Sequence, residues 1–136
     1  MNDFNIKKYE FFSIVERKEQ GVLRIFESED VPFTVKRVFT VVNAKSGSKR
    51  GQHAHKKCNQ LLCCVSGAVN LICDDANTQI ETLLTPSNEA VFVPCGIWAE
   101  QDYLKDNSVI IVFCDQPYDE NDYIRFYDEY LEWKNK

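Results

Sequence analysis

An all-β fold with one C-terminal helix is the prediction for this 136-residue chain, and three observations carry it. Short apolar runs recur along most of the sequence, clusters of turn formers separate them, and the last stretch changes to helical spacing. Phe11 to Phe26 alternates apolar and charged residues, which predicts edge strands. Val35 to Val42 is rich in β-branched and aromatic residues and is followed by turn formers from Asn43 to Gly51, so it reads as a strand. Leu61 to Val65 and Ala68 to Cys73 are two apolar runs joined by Ser66-Gly67, read as a hairpin. Further strands are predicted at Gln79 to Leu84, Ala90 to Val93 and Ser108 to Cys114, with turns at Pro86-Ser87-Asn88 and Pro94-Cys95-Gly96. Strands this short and this frequent make a sandwich or a barrel. Asp119 to Trp133 lacks glycine and proline, and Tyr123, Phe126, Tyr127, Tyr130 and Leu131 recur at helical spacing, predicting a helix whose aromatic stripe packs on the strands.

The length allows one core, so a single domain over residues 1–136 is expected. No apolar run is long enough to span a membrane, and the first residues lack the basic and apolar segments of an export signal, so the expected location is the cytoplasm. Most of the six cysteines sit inside apolar runs and read as buried thiols. Cys63 and Cys64 are neighbours on a strand, so they face opposite ways and share neither a metal nor a bridge. A net charge of −5 excludes a phosphate-tracking nucleic-acid surface. A local basic patch from Lys45 to Lys57 is still enough for a phosphorylated small molecule.

His53 and His55 are the only histidines, two apart on an extended segment, so both rings project from one face. Arg50 lies beside them, and Gly51 allows close backbone approach. Such a pair suits metal ligation or acid-base work.

The segments around the pair resemble a known family. Gly51-Gln52-His53-Ala54-His55 with Gly67 is similar to the first cupin motif, and Pro94-Cys95-Gly96-Ile97-Trp98 to the second. The resemblance implies a cupin-type antiparallel β-barrel (jelly roll). Metal-binding cupins carry a glutamate where this chain has Asn59 and a further histidine where it has Ala99. With two imidazoles left, no metal and no other cofactor is expected. Arg50 to Lys57, Phe33 to Val38 and Tyr118 to Asp128 together resemble the sugar 3,4-ketoisomerases, over most of the chain from about Val31 onward. That family acts on dTDP-4-keto-6-deoxyglucose. Membership implies a dTDP-linked 4-keto-6-deoxy sugar as ligand, a role in deoxysugar and surface-glycan biosynthesis, and a homodimer in which N-terminal strands (about 1–30) are exchanged.

The implied reaction moves a carbonyl from carbon 4 to carbon 3 through an enediol. An imidazole with an ordinary pKa of about 6.5 can accept and return the proton near neutrality. His55 is expected to be the principal base, and His53 to move the oxygen-bound proton or stabilise the enediolate. Arg37 and Arg50 match family positions for binding diphosphate and countering developing charge. Phe39 and Trp98 are candidates to hold the thymine. The galacto product is expected, although Ala99 leaves a position near the sugar without a polar group. Three rival readings stay open: a non-catalytic nucleotide-sugar-binding cupin, a metal-dependent cupin dioxygenase or isomerase, and a 3,5-epimerase.

Overall fold

The computed structural model describes residues 6–17, 19, 21–87 and 89–136, with 12–17 as backbone only. The absence of an export signal over Met1 to Asn5 therefore falls outside the described residues. Two five-stranded antiparallel sheets face each other. One has the order β1(Lys7–Glu10), β9(Glu89–Val93), β6(Gln60–Ser66), β11(Ser108–Cys114), β4(Arg37–Ala44). The other has the order β12(Tyr123–Ile124), β5(Lys49–His55), β10(Trp98–Tyr103), β7(Val69–Asp74), β8(Gln79–Leu84). A third ladder pairs β2(Phe12–Arg17) with β3(Gly21–Ile25). The expected barrel is thus seen as two sheets, and no strand pair among the described residues joins them. One helix, α1(Tyr127–Lys134), ends the chain. Among the described residues no helix is long and apolar enough to cross a membrane.

Alternation along the strands divides the apolar residues into three layers. Leu62, Cys64, Leu71, Ile110 and Val112 fill the space between the sheets. Leu61, Cys63 and Phe113 point to the outer face of the first sheet, where Phe11, Phe26 and Val31 cover them. Ala54, Trp98 and Ile124 form the outer face of the second sheet, beneath Tyr130 of α1. Cys63 and Cys64 accordingly belong to different cores. All six cysteines are free, and all but Cys95 are buried.

Three local expectations change. Ser66-Gly67 is not a hairpin: β6 pairs with β9 and β11, whereas β7 pairs with β8 and β10, so the chain crosses between sheets there. Gly67 has φ +79, and a Cβ on it would lie 2.2 Å from Ser108 Oγ, so only glycine fits this corner. The helix starts later than its aromatic spacing predicts. Asp119 accepts the Asn121 N–H and caps a short 3-10 turn, then Tyr123 and Ile124 pair with His55 and Ala54 of β5 before α1 begins. Finally, β10 falls where no strand was predicted, because its inward residues include a polar one, Gln101, which faces the cavity.

The buried Tyr130 hydroxyl ties α1 to the second sheet, lying 2.8 Å from the Gly96 carbonyl and 2.9 Å from that of Asp74. Tyr130→Phe removes this shared donor, leaving Gly96 only the Lys134 ammonium at 3.0 Å and Asp74 without the hydroxyl. Denaturant unfolding is expected to show a loss of about 1–3 kcal/mol with an unchanged slope.

Candidate active site

A cavity of about 470 Å³ opens at one end of the two sheets. Arg37 and Phe39 reach it from β4, Arg50, Gly51 and His53 from β5, and Gln101 from β10. Tyr118, Tyr123 and Arg125 close one side from the segment before the helix. A β-bulge makes this grouping possible. His53 pairs with Ala99 and Gly51 with Glu100, leaving Gln52 as the extra residue. Simple alternation would place Arg50 and His53, three apart, on opposite faces. The bulge reverses the parity, so both line the cavity while Lys49 turns outward to Asp102 at 2.7 Å. Gln52 adopts φ +55 to do this, and a Cβ on Gly51 would sit 3.0 Å from the Ala99 carbonyl.

The two imidazoles are 5.0 Å apart, centroid to centroid, and nearly perpendicular. Only His53 lines the cavity. Its Nδ1 lies 2.9 Å from the Gly51 carbonyl, an acceptor only, so Nδ1 carries the proton and Nε2 keeps its lone pair. His55 lies behind it, with a side chain 6% exposed. Its Nδ1 donates to Asp122 Oδ2 at 2.9 Å, and its buried Nε2 has no partner. Asp122 is itself clamped: Oδ1 accepts the Lys57 N–H at 2.7 Å, and Oδ2 that of Cys58 at 3.3 Å. Its position inside a segment predicted as helix hid it from sequence reasoning. The available signal was the family-like run Tyr118 to Asp128, whose acidic residues include Asp122.

Burial, with the nearby His55 and the Arg125 and Arg37 charges, pushes His53 down to about 4, against the Gly51 hydrogen bond. Burial also lowers His55, opposed by its hydrogen bond to Asp122 and that carboxylate's charge. Both rings are neutral bases at pH 7. Arg37 reaches the Tyr123 hydroxyl at 3.5 Å and Cys58 Sγ at 4.0 Å. A hydrogen bond from Cys58 draws the Cys114 thiol down against its burial, helped by the Arg37 charge and by Gln60. Arg37 therefore rests on a sulfur pair that favours its positive charge.

Phe39 lines the cavity and lies 5.7 Å from the Arg37 guanidinium carbon, whereas Trp98 does not reach the cavity. Trp98 shares the outer face of β10 with Glu100, to which its Nε1 donates at 3.0 Å, and it packs on Tyr127 and Tyr130. Two-residue alternation puts it opposite Ala99 and Gln101, so it is a packing residue.

Asn59 is not a ligand but a fastener. Its Nδ2 donates to Asp115 at 2.7 Å and its Oδ1 accepts the Cys95 N–H at 2.8 Å. His55, Cys58 and Asp122 do bring three metal-ligating atoms within 4.8 Å of one another, a grouping that the sequence reading did not anticipate. The His55 to Asp122 hydrogen bond and the Arg37 cation beside Cys58 disfavour a divalent cation there.

Residues 4–135 match the family described as FdtA: WxcM-like, C-terminal. The chain belongs to the FdtA family. This FdtA-family chain is 34% identical over 113 residues, 83% of its own length and 81% of the relative's, to the TDP-4-oxo-6-deoxy-alpha-D-glucose-3,4-oxoisomerase of Aneurinibacillus thermoaerophilus. Among solved structures, a 3,4-ketoisomerase from Helicobacter canadensis is 28% identical, with TM-score 0.89 over 98% of this chain and 99% of that one. A histidine-to-asparagine variant of the 3,4-ketoisomerase QdtA from Thermoanaerobacterium thermosaccharolyticum, in complex with TDP-4-keto-6-deoxyglucose, is also 28% identical, with TM-score 0.88 over 96% and 94% of the two chains.

The depressed His53 pKa has a defined effect on stability. Below its ordinary value of 6.5 the unfolded chain binds a proton that the folded chain refuses until about 4. The His53 contribution is therefore complete above 6.5 and is lost as pH falls through that window. NMR titration of the His53 ring should show a neutral imidazole at pH 6, and His53→Gln should flatten the acid side of the stability profile.

Proposed function

We propose that this FdtA-family chain is a TDP-sugar 3,4-ketoisomerase, converting TDP-4-keto-6-deoxyglucose to the 3-keto-6-deoxyhexose through an enediol. The observation that carries the reading is the His53 ring in the cavity wall, with Nδ1 tied to Gly51 and Nε2 left as a base. It removes the carbon 3 proton, which the adjacent ketone acidifies, and returns it to carbon 4. The hydroxyl proton exchanges with water in the cavity, and His55, buried behind His53 with its tautomer fixed by Asp122, holds the His53 ring from behind. The role of base thus falls to His53 rather than to His55, the sequence expectation, because His53 has the open access. Arg37 and Arg50 take the diphosphate, and Phe39 offers an apolar surface for the nucleotide. A bound diphosphate would offset the Arg125 and Arg37 charges, the smaller part of what depresses His53, and leave the effect of burial in place.

The same geometry bears on the product. In the gluco chair the hydrogen on carbon 3 is axial, on the face where galacto carries its carbon 4 hydrogen. A single base working from one face therefore gives the galacto product. His53 is the only imidazole lining the cavity among the described residues, and its neighbour across the ladder, Ala99, carries no proton. A homodimer exchanging its N-terminal strands would give the β2–β3 ladder a partner, since it pairs with no other strand among the described residues.

NMR of the product made from TDP-4-keto-6-deoxyglucose tests the reading. The expected product has its carbonyl at carbon 3 and a galacto carbon 4, and deuterium placed at carbon 3 is partly retained at carbon 4. Solvent deuterium entering at carbon 5 would identify a 3,5-epimerase, and an unchanged sugar a binding protein. His53→Asn is expected to abolish turnover while TDP affinity stays within a few-fold. Asp122→Asn, which retains the shape but disturbs the His55 tautomer, is expected to lower kcat by about 10²-fold or more.

A further inference from the structure

Gln101 lies on the inner face of β10, opposite Arg50 and one inward position from Ala99, the register partner of His53. It is 9% exposed, and what it exposes borders the cavity. Its side-chain orientation can be argued from its neighbour. Tyr103, two residues on and fully buried, places its hydroxyl 2.7 Å from Gln101 Oε1. Among the described residues that hydroxyl has no other acceptor, so it must donate, and the amide oxygen must face it. Reversing the amide would bury an O–H against an N–H, leaving the tyrosine proton unsatisfied. The Gln101 NH2 group is consequently turned away from Tyr103, and no acceptor among the described residues takes it.

We infer that Gln101 is a further catalytic residue, a fixed neutral donor that holds the sugar oxygen on which negative charge develops, and that Tyr103 is its positioning residue. The inference rests on the ketoisomerase reading. When the carbon 3 proton leaves, the electron pair passes to the carbon 4 oxygen, and a donor already aimed at that oxygen stabilises the enediolate without reorganising. Gln101 surrenders no proton in doing so. Its neutrality distinguishes it from the arginines of the cavity: an amide favours the oxygen without adding to the Arg125 and Arg37 charges that already help to depress His53. Burial raises the Tyr103 hydroxyl to about 12, so the lock stays protonated across the working range.

The test uses Gln101→Glu, which preserves shape and replaces the donor with an acceptor, and Gln101→Met, which preserves length and removes it. Each is assayed beside the parent for turnover of TDP-4-keto-6-deoxyglucose, for TDP binding by calorimetry and for thermal unfolding. The expected result for a folded variant is a fall in kcat of about 10²-fold with TDP affinity within a few-fold. Tyr103→Phe is expected to lower kcat by a smaller factor with KM little changed, and to have no further effect in the Gln101→Met background. A purely structural role for Tyr103 would persist in that background. An active parent whose folded Gln101 variants keep kcat within threefold overturns the inference and leaves the ketoisomerase reading standing. If neither Gln101 variant folds, Tyr103→Phe decides, and an unchanged kcat there overturns it. A parent without turnover overturns both.

Discussion

The site depends on one extra residue. Were β5 and β10 paired without interruption, the strand would present His55, His53, Gly51 and Lys49 to the interior, and Arg50 would face solvent. Gln52, unpaired and left-handed in its backbone, shifts the phase of everything before it. The imidazoles stay inward, and Arg50 joins them in place of Lys49. A guanidinium can grip a phosphate in a forked geometry that an ammonium cannot match. Gly51 lets the bulge press against the Ala99 carbonyl and also supplies the oxygen that fixes the His53 tautomer. A single backbone irregularity thus sets which side chains line the cavity and which tautomer His53 adopts.

The second organising element is the passage from β12 into α1. Tyr123 and Ile124 add a two-residue strand to the edge of β5, which delivers Asp122 to His55 and Tyr123 to the cavity wall. The Asp122 carboxylate accepts from the backbone of the loop that follows β5 as well as from the ring, so the loop and the dyad form together. The buried helix contact through Tyr130 holds this arrangement from outside. Chemistry on the inner face of β5 and packing on its outer face are two consequences of one alternating strand.

Alternation and turn chemistry made most strands legible, Gln79–Leu84 and Ser108–Cys114 to the residue. The histidine pair and both arginines could be singled out because their residue types are scarce or clustered. What escaped was whatever depends on tertiary pairing. The polar residues of β10 carry no apolar period, so that strand gave no signal. The run around Asp122 has helical spacing, but its pairing with β5 overrides that preference. By chemical type Trp98 suits the thymine or the core equally, and the parity of β10 places it in the outer core. That His53 lines the cavity while His55 lies behind it likewise follows from depth in the fold, which spacing alone does not encode.

Asn59 carries a consequence for the history such a site can have. The position matching the metal-binding glutamate of other cupins now joins three stretches of chain, through its own backbone N–H, its amide N–H and its amide oxygen, to Asp115 and Cys95. A glutamate placed there would lose the amide donor to Asp115 and set two carboxylates against each other in a partly buried loop. Recovering a metal centre would therefore require dismantling a joint before a ligand could be gained. The groups of Asn59 that could turn toward an ion are already committed to holding three stretches of chain together.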